Sequence, residues 1–254
     1  MKLGMPTLLE LDTLDRNIEM CESLGLDFLE INMNLPMYQT LSRENFPKYS
    51  HISYTFHLPE DLDIAHFHDQ IRKTYWGIID DTLALMSRIG STKLNMHLSR
   101  GIFFTLPHEK VFLYEKYHDQ YCANIQAFAD EFEAKLSERN IILCVENTGN
   151  FYIPFIQDAL RILLKKDHIR LTWDIGHDFK NGQTDGMFLK NHLEKLSHMH
   201  VHDATSKEDH LELSKGNIDI SSIKDLSKRL DLDMVIETKT VDALVASVRT
   251  FRDI

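Results

Sequence analysis

The stretch His198–His210, HMHVHDATSKEDH, carries four of the fourteen histidines in the chain. His198, His200 and His202 recur at every second residue, so in a strand they share one face while Met199 and Val201 share the other. A strand of that kind is buried on both sides, its apolar residues against helices and its imidazoles facing something polar. The concentration of histidine gives the polar side a chemical reading, because imidazole is a common metal ligand.

Outward from this strand, apolar runs of about four to seven residues alternate with longer amphipathic segments, the signature of repeated βα units. Strands are predicted at LGM near residue 3, DFLEIN from Asp27, ISYTFH from Ile52, TKLNMH from Thr92, IILCVE from Ile141, IRLTWD from Ile169, LSHMHV from Leu196 and DMVIE from Asp233. Helices are predicted at Leu14 to Ser23, Tyr38 to Asn45, Phe67 to Ile89, Glu109 to Glu138, Pro154 to Lys166, Gly186 to Leu196, Ser221 to Leu230 and Val241 to Arg252. Eight strands, each followed by a helix, is the arithmetic of an α/β (β/α)8 TIM barrel, here expected as a single domain over residues 1–254. The rival doubly wound sheet usually places a glycine-rich phosphate loop after its first strand, and LLELDTLD in that position has none.

Composition narrows the function. A formal net charge of −11 and a pI near 5.7 oppose a polyanionic partner, and no run of lysine and arginine reverses the field locally. The N-terminal MKLGMPTLLELD does not read as a signal peptide, and no apolar stretch is long enough to span a membrane. Cys21, Cys122 and Cys144 lie far apart without a CxxC pair, which fits a reduced, cytoplasmic setting.

The third to eighth predicted strands end, in order, on His57, His97, Glu146, Asp174, His200 and Glu237. In a parallel barrel all these ends meet at the C-terminal face, where active sites are built. Parity supports the placement: Phe56, Met96, Val145, Trp173, Met199 and Ile236 face the helices, while Thr55, Asn95, Cys144, Thr172, His198 and Val235 fall on the inward face. Convergent anions and imidazoles are costly without a cation, so Glu146, Asp174, His200 and Glu237 are read as a metal site. Its mostly oxygen donors suit Mn²⁺, Mg²⁺, Co²⁺ or Zn²⁺. His57, His97, His177, Glu208 and His210 are further candidates for metal or substrate. His198 is read as a deeper barrel residue, and His202 and Asp203 as loop structure or support for the ligands. Arg100, Lys215 and Lys239 are candidates for binding a phosphate or substrate.

CVENTGN, TWDIGH, HMHVHD, EDHLELSKGNID and VIET, in that order, resemble the xylose isomerase-like TIM barrel superfamily, which also contains endonuclease IV, the apurinic/apyrimidinic endonuclease family 2. The resemblance to its sugar epimerases implies one divalent metal on Glu146, Asp174, His200 and Glu237, with Glu146 and Glu237 also moving protons. The resemblance to endonuclease IV implies up to three zinc ions: His57, His97 and Glu146 for one, the central four for a second, and His177, Glu208 and His210 for a third. Glu208 departs from that family, which has aspartate there, whereas His210 departs from the epimerases, which commonly have arginine.

The expected function is therefore a metal-dependent isomerase or epimerase of a small sugar or sugar phosphate. A carboxylate would take a proton from carbon beside a carbonyl that the metal polarises. The alternatives are an endonuclease IV-like phosphodiesterase and a non-catalytic barrel that keeps the site for binding. Against DNA stand the acidic charge, the short loop LPMYQTLSRENFPKY where a DNA-penetrating loop would sit, and Ser214, Lys215, Gly216 and Asn217 in place of G-x-G-N. A small carbohydrate is the expected partner, and the epimerase resemblance implies dimers or tetramers as usual assemblies.

Overall fold

The computed structural model describes residues 1–47 and 51–254. Residues 48 and 49, the end of the loop compared above with a DNA-penetrating loop, lie outside the described residues. Eight parallel strands close into a barrel: β1 Leu3–Pro6, β2 Phe28–Asn32, β3 Ser53–His57, β4 Lys93–His97, β5 Ile142–Glu146, β6 Ile169–Asp174, β7 Leu196–Val201 and β8 Asp233–Ile236. Each strand pairs with its neighbours in chain order, and β8 returns to β1.

The pattern that predicted this barrel is the one that holds it together. Phe56, Met96, Val145, Trp173, Met199 and Ile236 are all buried against the helix layer, each such side chain contributing about 1.5–3 kcal/mol by leaving water. The crossover helices begin and end on local signals. Thr13, Asp219 and Thr240 cap helices Leu14–Ser23, Ile220–Leu230 and Val241–Asp253, each accepting from a backbone N–H of the first turn. Helix Asp69–Ile89 stops at Gly90 in the left-handed region, and helix His118–Arg139 stops at Asn140 there.

Inside the barrel the polar residues bond to one another. Lys93 on β4 reaches across the floor to Asp233 and to the carbonyl of Ser197, both at 2.7 Å. Above it, Thr172 donates to Asn95 at 2.6 Å, and His198 Nε2 lies 3.0 Å from the Glu30 carboxylate. These inward residues form a pedestal under the strand ends.

Three predicted helices are corrected. Tyr38 to Asn45 is two single 3-10 turns, Pro36–Tyr38 and Arg43–Asn45. There the Ser42 and Asn45 side chains cap each other's backbone within three residues, which leaves no span for an α-helix. The helix predicted from Glu109 begins too early. Lys110–Phe112 pairs antiparallel with Phe103–Thr105 in a hairpin, and one turn at Leu113–Lys116 precedes the long helix. Three strand residues, Lys110, Val111 and Phe112, are too few to register beside the helical period of the residues that follow. Gly186 to Leu196 resolves into helix Gly186–Lys190 and a 3-10 turn at Leu193–Lys195. Helix Ile175–Lys180 was not predicted; Asp174 is its N-cap, accepting from the His177 N–H at 2.6 Å.

Candidate metal centre

The centre is built at the C-terminal mouth of the barrel, where strand register sets the height of each side chain. His97 lies level with Glu146, and Asp174 level with His200. Glu237 follows the end of β8, and its N–H continues the ladder by donating to the Val201 carbonyl at 2.9 Å. One donor atom each from Glu146, Asp174, His200 and Glu237 lies within 4.8 Å of the others. Donors around one ion at about 2.0–2.2 Å stand no more than about 4.4 Å apart, so the four groups need little adjustment to close on a cation.

The arrangement around His200 fits a cation as well. Its Nδ1 is 3.2 Å from Glu146 and 3.0 Å from Glu237, and its Nε2 is 2.8 Å from Glu30. Neither ring nitrogen has a well-directed hydrogen bond among the described residues, and Glu237 Oε2 is likewise buried without one. Burial disfavours the charged imidazole, but Glu146, Glu30 and Glu237 outweigh it and push His200 well above the usual histidine range. A proton on His200 thus supplies the positive charge that these carboxylates require. His57 points the same way. Its Nδ1 faces the Leu58 carbonyl at 2.7 Å and so carries the hydrogen, while Nε2 looks at Glu146 at 3.2 Å. Something positive belongs on that nitrogen.

The other predicted residues divide into those brought to the centre and those left outside. His97 Nε2 is 3.5 Å from Glu146, and with His57 and Glu146 it forms a second group of convergent donors. His177 and His210 form a third, together with His202. Glu208 is exposed and takes no part in it. Asp209 stands there instead, 3.3 Å from both His177 and His210. His202 is fully buried; the His210 N–H donates to its Nδ1 at 2.7 Å, which leaves the ring hydrogen on Nε2, facing Asp174 at 3.2 Å. That ring packs over Gly176, where a Cβ would overlap it, so the glycine of DIGH is required by this close approach. Asp203 holds the loop, accepting from the backbone of Ala204 and Ile218.

Lys239 lines the central cavity and lies 2.8 Å from Glu237. Lys239 is exposed at the rim, and the Glu237 carboxylate raises its pKa. Arg100 lines a neighbouring groove, and Lys215 is exposed on its loop. The central cavity, about 280 Å³, is bordered by Glu30, His57, His97, Glu146, His210 and Glu237 among others.

Glu30 is the residue that reading the strand ends missed. It lies only 2 % exposed and receives the Thr55 hydroxyl at 3.2 Å as well as contacting His198 and His200. Burial raises its pKa, but the charge on His200 and the histidine hydrogen bonds hold it well below the carboxylate range. Burial lowers the pKa of His198, although the Glu30 carboxylate beside it opposes the shift. Removing one partner of a buried charge pair costs about 3–5 kcal/mol. Glu30→Gln is therefore expected to lower the melting temperature of the metal-free protein by about 6–20 °C, at about 2–4 °C per kcal/mol for a chain of this size. Scanning calorimetry checks this, and an unchanged melting temperature contradicts the pairing with His200.

The fold and the site together define a closed (β/α)8 barrel that gathers oxygen and imidazole donors at its C-terminal mouth. The chain belongs to the xylose isomerase-like TIM barrel family, whose sequence model matches residues 18–253. A D-tagatose 3-epimerase-like protein is 22 % identical, with a TM-score of 0.79 over 100 % of this chain and 96 % of its own. A 3-keto-D-glucoside 4-epimerase from E. coli is 15 % identical, with a TM-score of 0.74 over 100 % of both chains. An L-ribulose 3-epimerase is 17 % identical, with a TM-score of 0.69 over 99 % of this chain and 93 % of its own. No curated protein sequence matched the chain. No helix among the described residues is long and apolar enough to cross a membrane.

Proposed function

We propose that this protein is a divalent-metal-dependent isomerase or epimerase of a small sugar or sugar phosphate, acting as one catalytic unit over residues 1–254 in the cytoplasm. The observation that carries the reading is the placement of two carboxylates, Glu146 and Glu237, on the same ring nitrogen of His200 and on the wall of one cavity. The epimerases of the same fold support it, and three cysteines without a disulfide suit a reducing compartment.

Glu146, Asp174, His200 and Glu237 would hold the metal, which when bound polarises the carbonyl and a neighbouring hydroxyl of a ketose. Glu237 and Glu146 then face the carbon beside that carbonyl: one takes its proton and the other returns one to it. Return to the opposite face inverts the carbon, whereas return to the former carbonyl carbon, with the proton of the neighbouring hydroxyl passing to the former carbonyl oxygen, moves the carbonyl along the chain. Lys239 keeps Glu237 ionised and aimed at the cavity through their 2.8 Å contact, and the His202 ring fixes Asp174. A ketose panel in deuterated water tests the reading. Label in the carbon next to the carbonyl supports it, and no exchange on any member rejects it.

A second reading, a multi-zinc phosphodiesterase like endonuclease IV, is favoured by one observation: the His57–His97–Glu146 and His177–His202–His210 groups both flank the central four. The net charge of −11 works against it. Cleavage of a duplex containing an abasic site, without sugar exchange, would establish it.

A further inference from the structure

Beside the central cavity lies a groove of about 450 Å³ that shares Glu60 and His97 with it. We propose that this groove is a subsite for an anionic substituent at the far end of the sugar, a phosphate or a carboxylate, held by Arg100 and Lys110. The inference rests on the sugar isomerase reading above and narrows its substrate class.

Charge is the first argument. The central cavity is bordered by Glu30, Glu60, Glu146 and Glu237, so an anionic group on the substrate is repelled from it and must find cations elsewhere. Lys239 is already engaged by Glu237, and Lys215 borders neither cavity. Arg100 and Lys110 both line the groove, and neither is ion-paired among the described residues. Glu60 is the groove's one carboxylate, and it stands at the junction, where it accepts from Asn34 at 3.2 Å. The junction is therefore the place for hydroxyl groups, and the far end for the anion.

The walls are also built rather than loose. Gly101 has φ +67 and takes the Tyr114 ring where a Cβ would be, and Tyr114 is buried and donates to Asp63 at 2.6 Å. This fixes the turn that carries Arg100. Across the groove, Asn150 is 1 % exposed and donates to the Leu98 carbonyl at 2.8 Å, while its Oδ1 has no partner among the described residues. That leaves an acceptor on the wall for a sugar hydroxyl. Lys110 lies 5.0 Å from the centre of the Phe103 ring, and Phe103, Phe112 and Phe155 make successive tilted ring contacts, giving the ammonium an aromatic backing. Ligand pockets run from about 300 Å³ upward. The central cavity alone suits a free ketose; with the groove it suits a ketose with a substituent.

The test compares D-tagatose, D-tagatose 6-phosphate and D-tagaturonate on the manganese-loaded protein, by calorimetric binding and by deuterium exchange. It is run on the parent and on the Arg100→Gln/Lys110→Gln double variant. One of the two anionic ketoses is expected to bind about 100-fold more tightly than tagatose, at about tenfold per charge-assisted contact. The double variant is expected to abolish that preference. Preference for the phosphate identifies a sugar phosphate, and preference for tagaturonate a sugar acid. Equal binding of charged and neutral ketoses, no binding of any of the three, or a preference that survives the double variant overturns the subsite. Exchange on tagatose without an anionic preference overturns only the subsite. An anionic preference lost in the double variant, with no exchange on any ketose, overturns only the isomerase reading.

Discussion

Glu237→Gln is expected to fold like the parent and to lose about 100- to 10,000-fold of its exchange activity, the range that a positioned general base contributes. Glutamine keeps the size of the side chain and an oxygen for Lys239, which now sits 2.8 Å from Glu237 Oε1. It removes the group that accepts a proton from carbon. The same substitution also weakens the metal site, because one of four ligands loses its charge. The two effects separate on titration with manganese: a defect in metal affinity is rescued at high concentration, and a defect in proton transfer is not. Full turnover at saturating manganese would show that the proton-transfer role is misassigned. Glu237→Asp, which keeps the charge and shortens the reach, is expected to fall between parent and glutamine variant.

Stripping the metal with a chelator is expected to abolish exchange and to lower the melting temperature by about 5–11 °C, without unfolding the chain. An ion present at 100 times its dissociation constant contributes about 2.7 kcal/mol, and each kcal/mol shifts the midpoint by about 2–4 °C in a protein of this size. The fold survives because His200, pushed well above the usual histidine range, carries a proton between Glu146, Glu237 and Glu30 when no metal does so. Returning manganese is expected to restore both properties. Exchange that persists in protein shown by elemental analysis to be metal-free would remove the metal from the mechanism.

The barrel was legible because each strand reports its own two faces. The outward apolar series from Phe56 to Ile236 and the polar strand ends are local patterns, and closure of eight such strands follows from their number. What the sequence concealed depends on contacts between distant segments. Glu30 sits two residues before the end of β2 and looks like an isolated acid until His198 and His200 are placed opposite it. A charge between Leu29 and Ile31 in a strand buried on both faces was the available signal. The resemblance to endonuclease IV implied Glu208, but the loop closes through paired hydrogen bonds between Asp203 and Leu211. His210 then takes a positive φ of 53°, and Asp209 is the acid beside the histidines. The hairpin that carries Lys110 was hidden for a related reason: three residues of strand adjoin a long amphipathic helix, and the longer period dominates any window that covers both.

One divalent ion is proposed to lie among Glu146, Asp174, His200 and Glu237, with the two glutamates free to move protons beside it. Anomalous scattering from crystals of the protein as purified, with elemental analysis of the same sample, tests it most directly. The expected result is one ion per chain, bound by those four side chains. Three zinc ions, with the outer two on His57 and His97 and on His177 and His210, would contradict it.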